Sequence, residues 1–219
     1  MRNVQRFFYE NSLTIVFLLF MALSLFGQAY FGWHEHNEFL EDNEQPMIGL
    51  IDYLGTGHFI QATFENWESE FLQMALFVIL TIFLRQRGSS ESKPIGEEDD
   101  SDKEPVPSKD APWAVRKGGI ALAMYKHSLS ISFIILFLFT FIVHFYGSLA
   151  DHNEEMLLKG KPPETAGEFF SSSKFWFESF QNWQSEFLAV ASIVFLSIYL
   201  RQKGSPQSKP VDTPNHKTK

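Results

Sequence analysis

The chain has no cysteine, which excludes disulfides, thiolate nucleophiles, iron–sulfur clusters and Cys-ligated zinc together and leaves its redox environment open. It also has no surplus of positive charge. Against 26 Asp and Glu stand 18 Lys and Arg, for a formal net charge of −8. A nucleic-acid backbone needs a basic surface, so no nucleic acid is expected as a partner. P-loop, GxSxG, HExxH and dinucleotide-binding fingerprints are absent as well. Those motifs position phosphate, nucleophile, metal or cofactor; without them the sequence predicts no enzyme, no catalytic residue and no cofactor.

What is abundant is Phe, with 24 in 219 residues. The mean hydropathy of −0.10 averages two unlike populations. Apolar residues gather in blocks of about twenty, the length of a membrane span, while acidic and Pro/Ser-rich stretches lie between them. Helices that face lipid take up Phe, Leu and Ile without needing a water-soluble face.

A helix rises about 1.5 Å per residue, so roughly 20 residues cross a hydrocarbon core about 30 Å thick. Leu13–Trp33 and Leu129–Leu149 have that length with no charge apart from the titratable His144. Phe71–Leu84 and Phe187–Leu200 are predominantly apolar and free of charge, but over too short a distance. They span only if they begin near Phe64 and Phe180, which draws Glu65, Glu68, Glu70 and Glu186 toward the outer interface.

The marginal spans gain support from an internal repeat. At an offset of 116 the sequence matches itself without a gap from Tyr9/Tyr125 to Pro94/Pro210. From Phe64 to Pro94, 19 of 31 positions are identical. Phe64, Asn66, Trp67, Ser69, Glu70, Phe71 and Leu72 recur as Phe180, Asn182, Trp183, Ser185, Glu186, Phe187 and Leu188. Earlier in the unit, Tyr30/Tyr146, His36-Asn37-Glu38/His152-Asn153-Glu154 and Pro46/Pro162 hold the same register. Two spans per copy make the repeats parallel rather than inverted.

The predicted fold is therefore an all-α membrane protein of four transmembrane helices from two parallel tandem repeats. Residues 1–87 form the first two-helix repeat and 113–203 the second. Residues 88–112, with Gly96-Glu-Glu-Asp-Asp-Ser-Asp102, form an acidic linker expected to be disordered and cytoplasmic, as is the tail 204–219. Each outer connection is expected to hold a short helix after Pro46 or Pro163, broken by Gly55-Thr-Gly57 or Ser171-Ser-Ser173.

Lys and Arg set the orientation. Arg2 and Arg6 precede the first span; Arg85, Arg87, Lys93, Lys103, Lys109, Arg116, Lys117 and Lys126 lie between the second and third; Arg201, Lys203, Lys209, Lys217 and Lys219 follow the fourth. The two other connections carry only Lys159, Lys161 and Lys174. Both termini and the linker are thus expected in the cytoplasm. Arg2, Arg6 and the Gly27-Gln-Ala29 sequence also suit a cleaved signal peptide, but the long apolar run, Glu10 and the internal counterpart of the segment favour a retained span.

Glu70 lies six residues inside Phe64, about 9 Å along a helix. Gln28 and His144 lie at similar depth in their own spans. The sequence thus suggests a polar cluster of Gln28, Tyr30, Asn66 and Glu70 with His144, Tyr146, Asn182 and Glu186. Ionisable groups at membrane depth face the protein interior, pair, or serve a pathway. Three readings compete: carboxylates at the membrane boundary near a helix N-terminus, a hydrogen-bond cluster that locks the bundle, and a transport or sensing site with a cation at Glu70 and Glu186. His34-Glu-His36-Asn-Glu38 invites a metal, but of its two histidines only His36 recurs, as His152, so no metal site is expected. Arg85 and Arg201 read as caps of helix C-termini.

The doubled Asn-Trp-x-Ser-Glu-Phe-Leu block, each copy followed by Leu-Arg-Gln-Arg/Lys-Gly-Ser, resembles a family of duplicated, four-helix bacterial integral membrane proteins classified only as a domain of unknown function. The resemblance covers nearly the whole chain. It implies a multi-pass protein of the bacterial inner (plasma) membrane and brings no activity or site residue with it. The expected role is structural or accessory in the cell envelope, with the lipid bilayer as partner and a homo-oligomer compatible with so small a bundle. The alternative is a small cation or proton transporter, channel or sensor.

Overall fold

The computed structural model describes residues 2–218. Lys219, counted above among the basic residues after the fourth block, lies outside them. All regular structure among the described residues is helical: α1 (Arg2–Glu10), α2 (Ser12–Asp42), α3 (Leu50–Tyr53), α4 (Gly57–Phe83), α5 (Trp113–Lys117), α6 (Gly119–Lys126), α7 (Ser128–Leu158), α8 (Ala166–Phe170) and α9 (Ser173–Tyr199), with a 3-10 turn at Asp100–Asp102.

Two of these, α2 and α7, are long and apolar enough to cross a membrane. None of the most apolar window of α2 is buried within the chain, and 11% of that of α7. Core helices of water-soluble folds bury such surface, so neither helix is one. Their lengths agree at 31 residues each, and they start 116 apart. Likewise α4 and α9 have 27 residues each and start 116 apart, a length of about 40 Å.

These shared bounds have local causes that recur. Thr56 Oγ1 accepts from Phe59 N at 3.3 Å and Ser172 Oγ from Phe175 N at 3.4 Å, so each long helix after a short one starts on a hydroxyl N-cap. At the other end Arg85 Nη1 donates to the carbonyls of Ile82 and Leu84 at 3.0 Å. Arg201 Nη1 does the same for Ile198 at 3.1 Å and Leu200 at 2.9 Å. A guanidinium satisfies carbonyls that have run out of amide partners.

The chain divides into two compact units, one built from the residues up to Phe64 with Ile142–Phe175, the other from Glu65–Phe141 with the residues from Trp176 on. In the first unit, Asn37 Oδ1 accepts from Ile48 N at 2.8 Å and Asn37 Nδ2 donates to Ile48 O at 3.1 Å. Asn153 treats Glu164 identically, at 2.7 Å and 3.0 Å. Each Asn thereby satisfies both polar groups of a loop residue and holds the chain that leads into α3 or α8. Here α4 and α7 also meet at glycines. A Cβ on Gly147 would lie 2.7 Å from Ile60 Cγ2 and 2.9 Å from Gln61 N, and one on Gly57 would strike the backbone at Asp151.

In the second unit, contacts pair residues 65, 68 and 70 of α4 with 182, 183 and 186 of α9. Both series ascend together, so the two helices run side by side in the same direction. The linker, expected to be disordered, is irregular but tied at its start. Ser89 Oγ lies 3.0 Å from Ser197 Oγ, and Ser90 Oγ donates to Gln207 O at 2.8 Å. The tail closes around Lys209, whose Nζ donates to the carbonyls of Pro214, Asn215 and Lys217 at 3.4, 3.1 and 2.9 Å.

Candidate functional site

The carboxylates of α4 occur at three successive levels, and α9 answers each. Glu65 accepts from Asn182 Nδ2. Glu68, only 1% exposed, accepts from Trp183 Nε1 at 2.9 Å. Glu70 and Glu186 are neighbours close enough for each carboxyl group to act on the other electrostatically. A buried carboxylate without partners would cost several kcal/mol, and the Trp183 indole is a fixed donor that offsets this cost for Glu68. Glu70 is exposed and Glu186 half-buried.

The first unit holds a second polar concentration. His36, 3% exposed, stacks on His58 with ring centroids 5.4 Å apart and lies 5.6 Å from the Tyr53 ring. Tyr53 Oη sits 3.0 Å from His58 Nδ1. Burial of Tyr53, reinforced by the carboxylates of Glu35 and Asp151, pushes its phenol up to about 12, so the hydroxyl keeps its proton and remains a donor. Glu35, His36, Phe39, His58, Asp151 and Glu155 together line a cavity of about 190 Å³. Among the described residues no three His, Cys, Asp or Glu converge closely enough to hold a metal ion.

The eight residues suggested by the sequence divide between the units. Asn182, Glu70 and Glu186 take part in the α4–α9 contacts described above, and Asn66 lies on the same stretch of α4 with its carbonyl accepting from Ser69 Oγ at 2.9 Å. In the first unit, Gln28 Nε2 donates to Thr63 Oγ1 at 3.1 Å. His144 is fully buried, with its ring 5.3 Å from Phe175. Tyr30 and Tyr146 are exposed, at 44% and 59%. Tyr30 packs edge-on to His34 at 4.8 Å, and Tyr146 to Phe145 at 5.2 Å.

A family model described as "Domain of unknown function (DUF6766)" matches residues 4–219. The chain belongs to this family. No curated protein and no solved structure matches it. The family description attaches no activity to any residue, so the chemistry of this DUF6766 chain has to be argued from its side chains.

Glu65, Glu68 and Trp183 were missed as site residues. The apolar pattern set Glu65 and Glu68 at the outer interface, because they precede the charge-free apolar block. Residues three apart share a helix face, so the spacing of Glu65 and Glu68 carried the signal for a shared face that meets α9. His58 and Asp151 were missed for a different reason. Neither recurs between the copies, since their counterparts are Lys174 and Glu35.

Proposed function

We propose that this protein is a four-span membrane protein with a structural or accessory role, whose two helix pairs are copies of one unit held together by polar contacts between α4 and α9. The observation that carries the reading is Glu68. Its carboxylate is buried and taken by the Trp183 indole at 2.9 Å, an arrangement suited to locking helices. Element bounds that repeat at 116 support the duplication, and the uncovered apolar surface of α2 and α7 supports lipid as their surroundings. In this reading α4 and α9 also span, the Lys/Arg clusters lie in the cytoplasm, and the membrane is the bacterial inner membrane.

The second reading, a proton or cation pathway, is favoured by the proximity of the Glu70 and Glu186 carboxyl groups. Proteoliposomes separate the two. For the structural role, proton and monovalent-cation flux stays at the level of protein-free vesicles, and Trp183→Phe lowers stability by about 1 kcal/mol, the scale of one interhelical hydrogen bond. Flux that disappears in the Glu70→Gln/Glu186→Gln double variant, with Trp183→Phe neutral, establishes the pathway instead.

A further inference from the structure

The cavity of the first unit lies apart from the Glu70–Glu186 pair and has a chemistry of its own. Its volume of about 190 Å³ equals roughly six waters of liquid, which suits a molecule of a few heavy atoms. Three carboxylates line it, from Glu35, Asp151 and Glu155. Lys159 and Lys174 both close on Glu155, at 3.2 and 3.7 Å, so the wall's negative charge comes from Glu35 and from Asp151, which Lys174 neighbours without an ion pair. His36 adds a polar side chain that is 97% buried and whose Nε2 has no hydrogen-bond partner. An unsatisfied buried nitrogen costs about 1–3 kcal/mol unless something arrives to use it.

These groups ring a space instead of converging on a point. A bare metal ion would therefore lack its coordination shell. An ammonium group is larger, carries three donors and tolerates acceptors spread around it. The faces of Phe39 and of the stacked His36 and His58 rings border the same space and suit the short alkyl part of an amine.

We propose that the cavity between α2, α4 and α7 binds a small primary amine, whose ammonium group is held by Asp151 and Glu35 and donates to the free nitrogen of His36. The chemistry is that of a primary ammonium on a short carbon chain, whether from a free amine or from the ethanolamine headgroup of a lipid. It does not depend on the role assigned to α4 and α9, because no residue of the α4–α9 contacts lines the cavity.

Equilibrium dialysis of the purified full chain in non-ionic detergent against labelled ethanolamine tests it. The expected result is saturable binding of one molecule per chain, weakened at least tenfold by Asp151→Asn and by Glu35→Gln. Choline, which has the same charge and no N–H, is expected not to compete. Glu35 is exposed, so E35Q keeps the test valid if D151N fails to fold. Binding retained in phosphatidylcholine nanodiscs and lost in phosphatidylethanolamine nanodiscs identifies the headgroup as the natural source; binding retained in both identifies a free amine. Absence of saturable binding in detergent overturns the proposal, as do competition by choline, indifference to both substitutions, or displacement of ethanolamine by stoichiometric zinc.

Discussion

Asn37 and Asn153 each hold a loop residue by both of its backbone groups, Ile48 in one case and Glu164 in the other, yet the side chains packed around the two clips differ. Gly32, Tyr53 and His58 have Ser148, Phe169 and Lys174 at the positions 116 further on. Tyr53 and Phe169 are both buried, at 1% and 0% exposure, so the space each fills is the same except for one hydroxyl. The Tyr53 hydroxyl occupies the place that a Cβ on Gly32 would take. In the other copy the ring has no hydroxyl and Ser148 has a side chain. A gain at one position is matched by a loss at the other, which keeps the packing full while the chemistry changes. The comparison teaches that the two halves of the chain share these backbone clips and differ in the side chains beside them. The titratable pair His36 and His58, with the phenol beside it, has no equivalent 116 residues further on, where His152, Phe169 and Lys174 stand.

The sharpest way to break that comparison is at the α4–α7 crossing. Gly147→Val puts atoms 2.7 Å from Ile60 and 2.9 Å from the Gln61 backbone. A helix backbone cannot step aside as a side chain can, so the loss is expected at the upper end of overpacking, about 3 kcal/mol, or the chain fails to fold. Its counterpart is Phe31, which is 71% exposed, and Phe31→Val is expected to cost about 0.5 kcal/mol or less. Thermal unfolding in detergent measures both. Equal losses would mean that the glycine crossing is no special feature of one copy.

The second test sharpens the compensating pair. Gly32→Ser alone drives a side chain into the Tyr53 hydroxyl and is expected to cost about 2 kcal/mol. Combining it with Tyr53→Phe recreates the Ser148/Phe169 pairing and should restore most of that loss. A double-mutant cycle reads the coupling, and additive losses would refute the exchange of volume between the two positions.

Much of this architecture was legible in the sequence. The apolar lengths and the 116-residue register marked out the four long helices, including the two marginal ones, because hydropathy and identity are both written along the chain. The short helices followed from Pro, Gly and Ser, and the Arg caps from their place after the apolar runs. The α4–α9 contacts were partly legible: Glu70 and Glu186 sat at matching positions, but the partner of Glu68 is an indole N–H, which hydropathy counts as apolar. The polar cavity was not legible at all. Its walls come from α2, α4 and α7. Glu35 and Asp151, like Phe39 and Glu155, stand 116 apart, yet nothing in that register says that equivalent positions meet in space, and it drew attention to His36 and His152 when the rings beside His36 are those whose counterparts differ.

The smallest expected effect lies at the N-termini of the short helices α3 and α8. Thr165 and Glu168 form a capping box at α8: Glu168 Oε2 accepts from Thr165 N at 2.8 Å, and Thr165 Oγ1 accepts from Glu168 N at 3.4 Å. At the equivalent positions of α3 stand Gly49 and Asp52, and no side chain caps the helix at Gly49. The backbone N–H of Thr165, helped by its hydroxyl, holds the Glu168 carboxyl below its ordinary value. A depressed folded value means that the cap contributes above the ordinary carboxylate range and that its contribution is lost as pH falls through the folded value. The Thr165 amide shift should therefore titrate with a midpoint below that of a free Glu, lose that titration in Glu168→Gln, and have no parallel at Gly49. Thr165→Ala should lower stability by about 1 kcal/mol or less. A matching titration at Gly49, or one at Thr165 that survives Glu168→Gln, would show that α3 and α8 are capped alike and that the divergence between the copies is confined to the buried rings.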